Sequence, residues 1–518
     1  MKVATAEQMR ACDEITISEW GVPGLVLMEN AGKGTVAAMD RFLGPLPGKK
    51  VVILVGPGNN GGDGLVIARL LVKLGAFAQV VMLVAHERLQ GDAATNLNAA
   101  LQLNIPMYNC LVEQDLEHVE RLIGESDLVV DAIFGTGLTR PVVGRFAAAI
   151  ACINNHSAAV VAVDIPSGLN SDTGLPLGGC VRADLTCTYG LLKVGQLVAS
   201  GKEYVGRLEL VDIGIPAQAA AQVGVELEYL DGDRVKSWLP ERPLAAHKGT
   251  FGHLLVIAGS IGKSGAAMLC AQGALRAGTG LVSLAAPQDL ARIFESALIE
   301  AMSIVLPCSR HCFVVEDYEA IMAALSGKKA VVMGPGLGGE ESTAGLVEKI
   351  YQDIELPMVV DADGLNLLVG KTLVLEKAPA PRVLTPHPGE MARLCGLTTS
   401  EVQQNRLKIA GDFAKRNRVY LVLKGAGTVV AAPDGRLAIN STGNPGMAAG
   451  GMGDVLTGLI GGLLAQGVDP WQAACLGVYV HGLAADLLAK DNGLSFGYLA
   501  GEVAAALPRA FRQLQVDG

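Results

Sequence analysis

Short hydrophobic runs, each followed by a polar, glycine-containing loop, recur along most of the chain. In the first half they cover residues 50–55, 78–84, 128–133, 160–165 and 208–213, and in the second half 254–258, 330–333, 358–360, 382–384 and 420–423. Runs of this length, rich in β-branched residues, are typical of strands buried on both faces of a parallel sheet. The pattern therefore predicts two successive sets of parallel strands.

Longer apolar stretches between these runs predict helices. Thr5 and Gln8 have the spacing of a capping box, so a helix is expected to begin there and to run toward Trp20. The longest apolar stretch, residues 471–489, contains a glutamine, a histidine and an aspartate. We therefore predict a buried helix there and no membrane span.

The alternation of strand, loop and helix predicts an α/β protein with two three-layer αβα domains. At 518 residues the chain is too long for a single ordinary core. The alternation lapses after residue 216 and restarts near residue 254. We accordingly predict one domain over residues 1–216, a connection over 217–240 and a second domain over 241–518.

The charge and composition of the chain indicate which classes of partner it is expected to bind. The chain has 41 basic and 51 acidic residues, a net charge of −10, and its lysines and arginines are not clustered, so nucleic acid is not an expected partner. The N-terminal residues lack the apolar segment of a secretory signal, and we expect a cytoplasmic protein with reduced cysteines. Half of the residues are hydrophobic and 18% are charged, which favours self-association as a homo-oligomer.

The glycine-rich stretch NPGMAAGGMGD, residues 444–454, is the strongest chemical signal in the second half. Its small residues let backbone amides approach a ligand, and the apolar run after Asp454 predicts a helix that begins at the glycines. Free amides and the positive end of the helix dipole favour a phosphate. Asp454 would be held ionised there and could accept a proton from a hydroxyl, although it could instead simply cap the helix.

Three strand ends in the first half carry polar, glycine-containing loops. The loop GPGNNGGDG, residues 56–64, formally matches a dinucleotide fingerprint, but the next strand lacks the acidic residue that would hold a ribose, so we predict a phosphate loop without a simple Rossmann site. Asp131 lies on a later strand, and Asp164 and Ser167 lie at the end of another. Each aspartate could cap a local turn. Three matching loops favour one shared site, where Asn, Asp and Ser oxygens could hold a monovalent or hard cation.

Three residues of the second half have competing interpretations. The segment GSIGKS ends like a phosphate-binding P-loop, but Ile257 stands where that motif requires glycine, so we expect Lys263 to face solvent. His387 lies between two prolines at a predicted strand end, which favours ligand binding over a purely structural hydrogen bond. Lys424 precedes several small residues, which favours nucleotide phosphates over a surface lysine.

The order of the motifs resembles a known family. In the second half HKGTFGH, GPGLG, TPHPGE, LKGAGT and GGMGD resemble the ADP-dependent NAD(P)H-hydrate dehydratases of the ribokinase-like superfamily. In the first half ENAG, GNNGGDG, DAIFGTGL and DIPSG resemble the NAD(P)H-hydrate epimerases. Together they cover nearly the whole chain, which is similar to the fused, bifunctional repair enzymes. The resemblance implies a Rossmann-like first domain and a ribokinase-like second domain.

The resemblance also implies the site residues. The hydrated nucleotide in the first domain would be bound by Asn59, Asn60, Gly61, Gly62, Asp63, Gly135, Thr136, Gly137, Leu138, Thr139, Arg140 and Asp164. Potassium would be bound by Asn60, Asp131 and Ser167. In the second domain the hydrate would contact Ala267, Gly336, His387 and Asp454. The adenine nucleotide would be held by Lys424, Gly425, Ala426, Gly427, Thr428 and Gly453.

The implied activity is the repair of NADH hydrate and NADPH hydrate. The first domain would interconvert the R and S forms at C6, with Asp164 as the candidate acid or base. The second would dehydrate the S form while ADP, bound with Mg²⁺, is converted to AMP and phosphate. Two other interpretations stay open: an ordinary ribokinase-like kinase that uses ATP, and a first domain that only binds its ligand. The intact motifs of both halves favour repair.

Overall fold

The computed structural model describes residues 1–516, apart from the side chain of Ala199, and the chain divides into two compact units, residues 1–227 and residues 228 onward. The stretch predicted as a connection, residues 217–240, contains regular elements of both units. Its first helix, Ala217–Val223, buries Ala219, and its Ala220 packs in a cluster with Ala4, Met9 and Cys12. Small alanines pack closely against an earlier helix, which makes this segment part of the first unit.

The first unit alternates strands and helices. Its strands are β1 Val3–Ala4, β2 Lys50–Val55, β3 Phe77–Met82, β4 Met107–Asn109, β5 Leu128–Ala132, β6 Ala159–Val163, β7 Leu185–Tyr189, β8 Leu192–Lys193 and β9 Arg207–Val211. Its α-helices are α1 Ala6–Ser18, α2 Gly24–Leu43, α3 Asn59–Lys73, α4 Gly91–Gln102, α5 Leu116–Gly124, α6 Gly144–Asn154, α7 Val194–Leu197, α8 Lys202–Val205 and α9 Ala217–Val223. The predicted capping box of Thr5 and Gln8 begins α1 and is confirmed.

The main sheet of the first unit has the order β4-β3-β2-β5-β6-β7-β9, and every pair in it is parallel. Val51, Ile53 and Val55 pack into one hydrophobic cluster, and Val52 and Leu54 into another. Strand β2 is therefore buried on both faces, as its β-branched run predicts. The order reverses between β2 and β5, and the loops that follow these two strands enclose a crevice suited to a ligand.

The second unit begins with β10 Glu228–Tyr229. Its other strands are β11 His253–Ile257, β12 Leu281–Ala286, β13 Met302–Val305, β14 Ala330–Met333, β15 Met358–Val360, β16 Arg382–Leu384, β17 Tyr420–Leu423, β18 Val429–Ala431 and β19 Leu437–Ile439. Its α-helices are α10 Gly232–Lys236, α11 Ser264–Arg276, α12 Gln288–Ala297, α13 Tyr318–Ala324, α14 Glu341–Asp353, α15 Asp363–Leu367, α16 Thr372–Leu375, α17 Pro388–Cys395, α18 Thr399–Gln404, α19 Arg406–Asn417, α20 Met452–Ala465, α21 Pro470–Asn492 and α22 Ala500–Val516.

The sheet of the second unit has the order β10-β19-β18-β17-β16-β15-β14-β11-β12-β13 and is parallel except where β18 pairs with β17 and β19. Leu254 and Val256 pack on one face, and Leu255 and Ile257 on the other. Both units thus have a sheet between two helical layers, and the predicted α/β class is confirmed.

Helix α21 is long and apolar enough to cross a membrane, but two thirds of its most apolar window is buried inside the unit. Its buried residues include Trp471, Cys475 and His481. The apolar character of α21 is accounted for by its place in the core, as predicted for residues 471–489.

Candidate functional sites

A cavity of about 590 Å³ lies at the crevice of the first unit. Of the residues predicted to bind the hydrated nucleotide, its lining includes Asn59, Asn60, Asp63, Gly135, Thr136, Gly137, Leu138, Thr139, Arg140 and Asp164. Side chains from α1 and from the segment after β7 complete the wall, among them Asp13 and Lys193. The loops after β2, β5 and β6 therefore converge on one cavity.

Gly61 and Gly62 lie behind this lining, inside the first turn of α3. Their amides donate to the Gly58 carbonyl at 3.0 and 3.4 Å. A Cβ on Gly62 would lie 2.8 Å from the Met28 sulfur and 3.0 Å from Ala93 Cα. These two glycines permit close packing of α3, and their amides are used by the helix instead of pointing to a ligand.

Asp131 and Ser167 lie fully buried beneath the cavity. Asp131 Oδ1 accepts from the Ser167 hydroxyl at 2.6 Å, and Oδ2 accepts from the Ser167 amide at 2.8 Å. Burial raises the pKa of Asp131 to about 6, although hydrogen bonds from Ser167 and Ile133 act in the opposite direction. The Asn60 Nδ2 atom is buried without a hydrogen-bond partner in the described residues, and its Oδ1 lies 3.3 Å from the position of a Cβ on Gly135. This set of oxygens fits a hard or monovalent cation.

Asp164 is held by a lysine that the motifs did not reveal. Lys193 is fully buried and donates to Asp164 Oδ1 at 2.5 Å, and the Asp164 carboxylate retains 15% exposure. The Tyr189 amide donates to the same oxygen at 3.1 Å. Asp164 also has a left-handed backbone with φ of 64°, which is uncommon for a residue other than glycine. A charged residue inside the apolar segment LLKVGQL was the available sequence signal for Lys193.

Residues 450–453 of the second unit form the turn that leads into α20. Within the described chain their amides make no well-formed hydrogen bond, and Gly451 at the helix N-cap has φ of 89°. Glycine is needed there because a side chain is strained at that φ. The predicted helix does begin at the glycines, and its unpaired first amides have the geometry that suits an anion.

Asp454 is the third residue of α20 and does not cap it. No hydrogen bond or ion pair joins its carboxylate to another described residue. Burial raises the pKa of Asp454 to about 6, and the Asp361 charge raises it further, while Lys424 opposes both. The helix dipole was expected to hold this carboxyl firmly ionised; burial and neighbouring carboxylates outweigh it, so the pKa is raised instead of lowered.

Lys424 pairs with Asp361, a residue that the sequence analysis did not single out. The Nζ–Oδ1 distance is 2.8 Å, and the Lys424 side chain is 20% exposed while Asp361 is 1% exposed. The Thr457 hydroxyl donates to the other Asp361 oxygen at 2.7 Å. A Cβ on Gly453 would lie 3.1 Å from Lys424 Nζ, so this pair directly adjoins the turn of residues 450–453.

The Arg406 side chain stabilises the turn after Lys424. The guanidinium is buried and donates to the carbonyls of Leu423 and Lys424 at 2.8 and 3.2 Å. Gly425 and Gly427 have φ of 135° and 64°. Gly425 and Ala426 are exposed, and the Thr428 hydroxyl donates to the Gly425 carbonyl at 3.0 Å. This leaves a rigid, open backbone turn beside the lysine.

His387 caps α17 through its ring. Nδ1 accepts from the amides of Gly389 and Glu390 at 3.0 and 3.3 Å, and the side chain is half exposed. Burial lowers the pKa of His387, and the Lys424 charge lowers it further. The imidazole is therefore neutral near pH 7, with Nδ1 engaged by the helix amides and Nε2 turned toward Glu390.

Ala267 and Gly336 lie at the strand-order reversal between β11 and β14. Ala267 is fully buried on α11, and Gly336 has φ of 65°. A Cβ on Gly336 would lie 2.9 Å from the Lys263 carbonyl. Lys263, expected to face solvent, is half exposed and pairs with Asp363 at 2.8 Å, because the α15 carboxylate reaches it across the crevice.

Comparisons with known proteins identify relatives of both halves of the chain. A family model described as NAD(P)H-hydrate dehydratase matches residues 254–509, and one described as YjeF-related protein N-terminus matches residues 24–195. A bifunctional NAD(P)H-hydrate repair enzyme of Moorella thermoacetica is 42% identical over 519 residues, which cover 100% of this chain and 98% of that one. The chain belongs to this repair-enzyme family. The family predicted from the motif order is thereby confirmed.

Another member of the family agrees with that assignment. The Escherichia coli bifunctional NAD(P)H-hydrate repair enzyme is 36% identical over 491 residues, covering 94% of this chain and 90% of the relative. The crystal structure of a Bacillus subtilis ADP/ATP-dependent NAD(P)H-hydrate dehydratase, co-crystallised with ATP and Mg²⁺, is 33% identical, with a TM-score of 0.49, and covers 55% of this chain and 98% of that one.

Proposed function

We propose that the two units of this repair enzyme act in sequence on hydrated NADH and NADPH: the first epimerises the R and S hydrates at C6, and the second dehydrates the S form while ADP becomes AMP and phosphate. The observation that carries the proposal is Asp454, an unpaired carboxylate at the start of α20 beside unpaired amides and the Lys424–Asp361 pair. Such a site suits the transfer of a phosphoryl group to a hydroxyl.

In the second unit Asp454 accepts the proton of the C6 hydroxyl. Its raised pKa of about 6 leaves it ionised at neutral pH yet basic enough to receive that proton. The amides of residues 450–453 stabilise the charge on the phosphoryl group as it moves from ADP to the hydroxyl oxygen. Phosphate then leaves from C6 as the ring nitrogen donates its electron pair, and loss of a proton from C5 to the released phosphate forms the C5=C6 double bond of the reduced nicotinamide.

The remaining predicted residues bind and orient the two substrates. The turn at residues 425–428, in which Gly425 and Ala426 are exposed, offers amides to the adenine nucleotide, and Lys424 offers its charge to the phosphates. The half-exposed His387 ring is placed to contact the hydrate, and the buried Ala267 and Gly336 would shape the site behind it. Magnesium, held largely by nucleotide phosphates and water, would neutralise phosphate charge.

In the first unit the cavity binds the hydrated nicotinamide. The lining amides of Asn59 and Asn60, together with Arg140, suit the nucleotide phosphates, and Asp164 faces the ring. Potassium bound by Asn60, Asp131 and Ser167 would fix the loops after β2, β5 and β6 to one another. The fully buried Asp131 carboxylate, which lies against the Ser167 hydroxyl, supports this assignment.

The test follows the near-ultraviolet absorbance of reduced nicotinamide in a mixture of both NADH-hydrate epimers with ADP, Mg²⁺ and K⁺. Complete recovery of NADH, with one ADP consumed per NADH, is expected from the intact protein. If the S form is dehydrated but the R form is converted no faster than it isomerises without enzyme, the epimerase activity is overturned. Production of a stable phosphorylated compound without NADH recovery would overturn the dehydratase.

A further inference from the structure

Helix α1 presents a carboxylate to the cavity of the first unit. Met9, Asp13 and Ile17 all line that cavity. Their spacing of four residues places them along one face of the helix. Met9 is buried in the cluster with Ala4, and Asp13 is the polar position of an otherwise apolar stripe. Partial burial of a carboxylate costs free energy unless a partner compensates it, so this position calls for an explanation.

Asp13 makes no hydrogen bond or ion pair with another residue of the described chain. The buried ammonium of Lys193, which lines the same cavity, is fully engaged elsewhere. It donates to Asp164 Oδ1 at 2.5 Å, to Thr188 Oγ1 at 2.9 Å and to the Tyr189 carbonyl at 2.8 Å. A lysine has three protons to donate, and all three are used. Asp13 is thus the carboxylate that Lys193 leaves unpaired.

The surroundings of Asp13 keep it between its two protonation states near neutral pH. Burial raises the pKa of Asp13 to about 6; Lys193 lowers it and Asp164 raises it. The other charged or titratable groups that line the cavity are Arg10, Asp63, Asp92, Arg140 and Tyr189. Burial raises the pKa of Asp63 well above its usual range, and the charges of Asp164 and Asp13 raise it further. Asp13 is therefore a carboxyl that lines the cavity, lacks a fixed partner and has a pKa close to neutral pH.

We infer that Asp13 is a further catalytic residue of the epimerase, the group that takes and returns the proton of the C6 hydroxyl, while the Asp164–Lys193 pair stays charged and orients the ring. This inference rests on the proposed epimerase function of the cavity. It moves the acid–base role away from Asp164, to which the sequence analysis assigned it. Asp13 lies ahead of residues 24–195, to which the family model is matched.

The step balances without any further reactant. The hydroxyl proton passes to Asp13, the C6–O bond becomes a carbonyl, and the C6–N1 bond breaks with its electron pair moving to N1, which is conjugated with the ring carboxamide. Rotation about C5–C6 then exposes the other face of the carbonyl. N1 attacks that face, the C6–N1 bond forms again, and the proton returns from Asp13 to the oxygen. The product differs from the substrate only in configuration at C6.

The experiment compares Asp13→Asn, Asp13→Glu and the matched control Glu14→Gln in the full-length protein, with NADH hydrate as substrate. Glu14 is the adjacent acidic residue of α1 and is exposed. Interconversion is followed by separating the R and S forms chromatographically, without ADP so that no dehydration occurs. We expect Asp13→Asn to lower kcat by about 100-fold or more with little change in KM, Asp13→Glu to recover part of the rate, and Glu14→Gln to match the wild type.

The pH profile separates catalysis from a structural role. After subtraction of the uncatalysed rate, the wild-type kcat should rise as pH increases through about 6, because the base acts only when ionised, and Asp13→Asn should lack that rise. Asp13→Asn within threefold of the wild type, or with the rise intact, would overturn the inference while leaving the epimerase in place. A wild type that does not interconvert the epimers at all would instead overturn the proposed function, and this inference with it.

Discussion

The two units each place a lysine–carboxylate pair at the edge of a parallel sheet. In the first unit the fully buried Lys193 pairs with Asp164, and in the second the 20%-exposed Lys424 pairs with Asp361. The backbone is left-handed at both places, with φ of 64° at Asp164 and 50° at Ala362, next to Asp361. Such a backbone costs about 1–3 kcal/mol at a residue other than glycine. Each carboxylate is therefore held by its surroundings in a position that local preference disfavours.

A second carboxyl without a partner lies near each pair. In both units burial raises its pKa to about 6, for Asp13 in the first and for Asp454 in the second. Each lysine already pairs with another carboxylate. It therefore lowers the pKa of the second carboxyl without forming an ion pair with it. The same electrostatic arrangement thus prepares a proton acceptor at two unrelated sites of one chain.

The glycine-rich turns show where the sites differ. In residues 56–64 the amides of Gly61 and Gly62 donate to the carbonyl of Gly58 and are used within the chain. In residues 450–453 the amides make no well-formed hydrogen bond in the described part of the chain. Glycine content alone does not make an anion site, since the amides must also be unused. This difference assigns phosphoryl chemistry to the second unit and isomerisation, which transfers no phosphate, to the first.

The largest expected effect is the loss of one activity, which separates the role of Asp454 from that of Asp13. Asp454→Asn keeps the shape of the side chain but removes the proton acceptor, so the dehydratase kcat should fall about 1,000-fold. Epimerisation, measured without ADP, should be unchanged. A parallel loss of both activities would show that the substitution damages the fold and not the chemistry of one site. A dehydratase rate within threefold of the wild type would remove Asp454 from the mechanism.

The next effect concerns stability and the difference in burial between the two pairs. Lys193→Met leaves the Asp164 carboxylate, 15% exposed, without its partner, and this should cost about 3–5 kcal/mol. We expect faster hydrogen exchange in β6 and β7, measured by mass spectrometry, with β14 of the other unit as the internal reference. The control Lys33→Met removes a lysine whose side chain is 61% exposed and should change exchange little. Unchanged protection of β6 and β7 would mean that the pair contributes no net stability.

Much of the architecture could be predicted from the sequence, because its determinants are local. A buried parallel strand needs a β-branched run, and the turn after it needs glycine or a polar residue, so β2, β14 and β17 could be placed from their own residues. The glycine turn before α20 was predictable for the same reason. It depends on consecutive small residues and on the helix that follows them.

The partners of the charged residues could not be placed in this way. Lys193 and Asp164 are 29 residues apart, and Lys424 and Asp361 are 63 apart, so their contacts depend on how the sheet brings separate loops together. Asp361 follows β15 directly, and the argument applied to Asp131 would have indicated it. Asp13 gave no such signal, because it lies on a helix and its importance depends on which lysine contacts are already taken.

A smaller expected effect tests whether the glycines of residues 56–64 are needed for helix packing or for ligand binding. A Cβ on Gly62 would press on Met28 and on the Ala93 backbone, so Gly62→Ala should destabilise the first unit by about 1–3 kcal/mol. The control Gly58→Ala meets no atom within 4 Å and has a negative φ, so it should change stability by less than about 0.5 kcal/mol. Thermal unfolding and the epimerase KM measure both roles. A raised KM with unchanged stability would show that Gly62 contacts the ligand after all.

The smallest effect is the pH dependence of the dehydratase, and it sharpens the parallel between the two carboxyls. Asp454 acts as a base, so the rate is lost as pH falls through its pKa of about 6. With a pKa of that size, kcat/KM should be about tenfold lower at about pH 5 than on the plateau above about pH 7. Asp361, Asp363, Glu390 and Lys424 act on this carboxyl, and replacing Glu390 by Gln should shift the midpoint slightly downward, since one raising charge is removed. If the same acidic limb survives in Asp454→Asn, another group sets it. If it disappears there while the epimerase limb remains, each unit has its own titrating carboxyl.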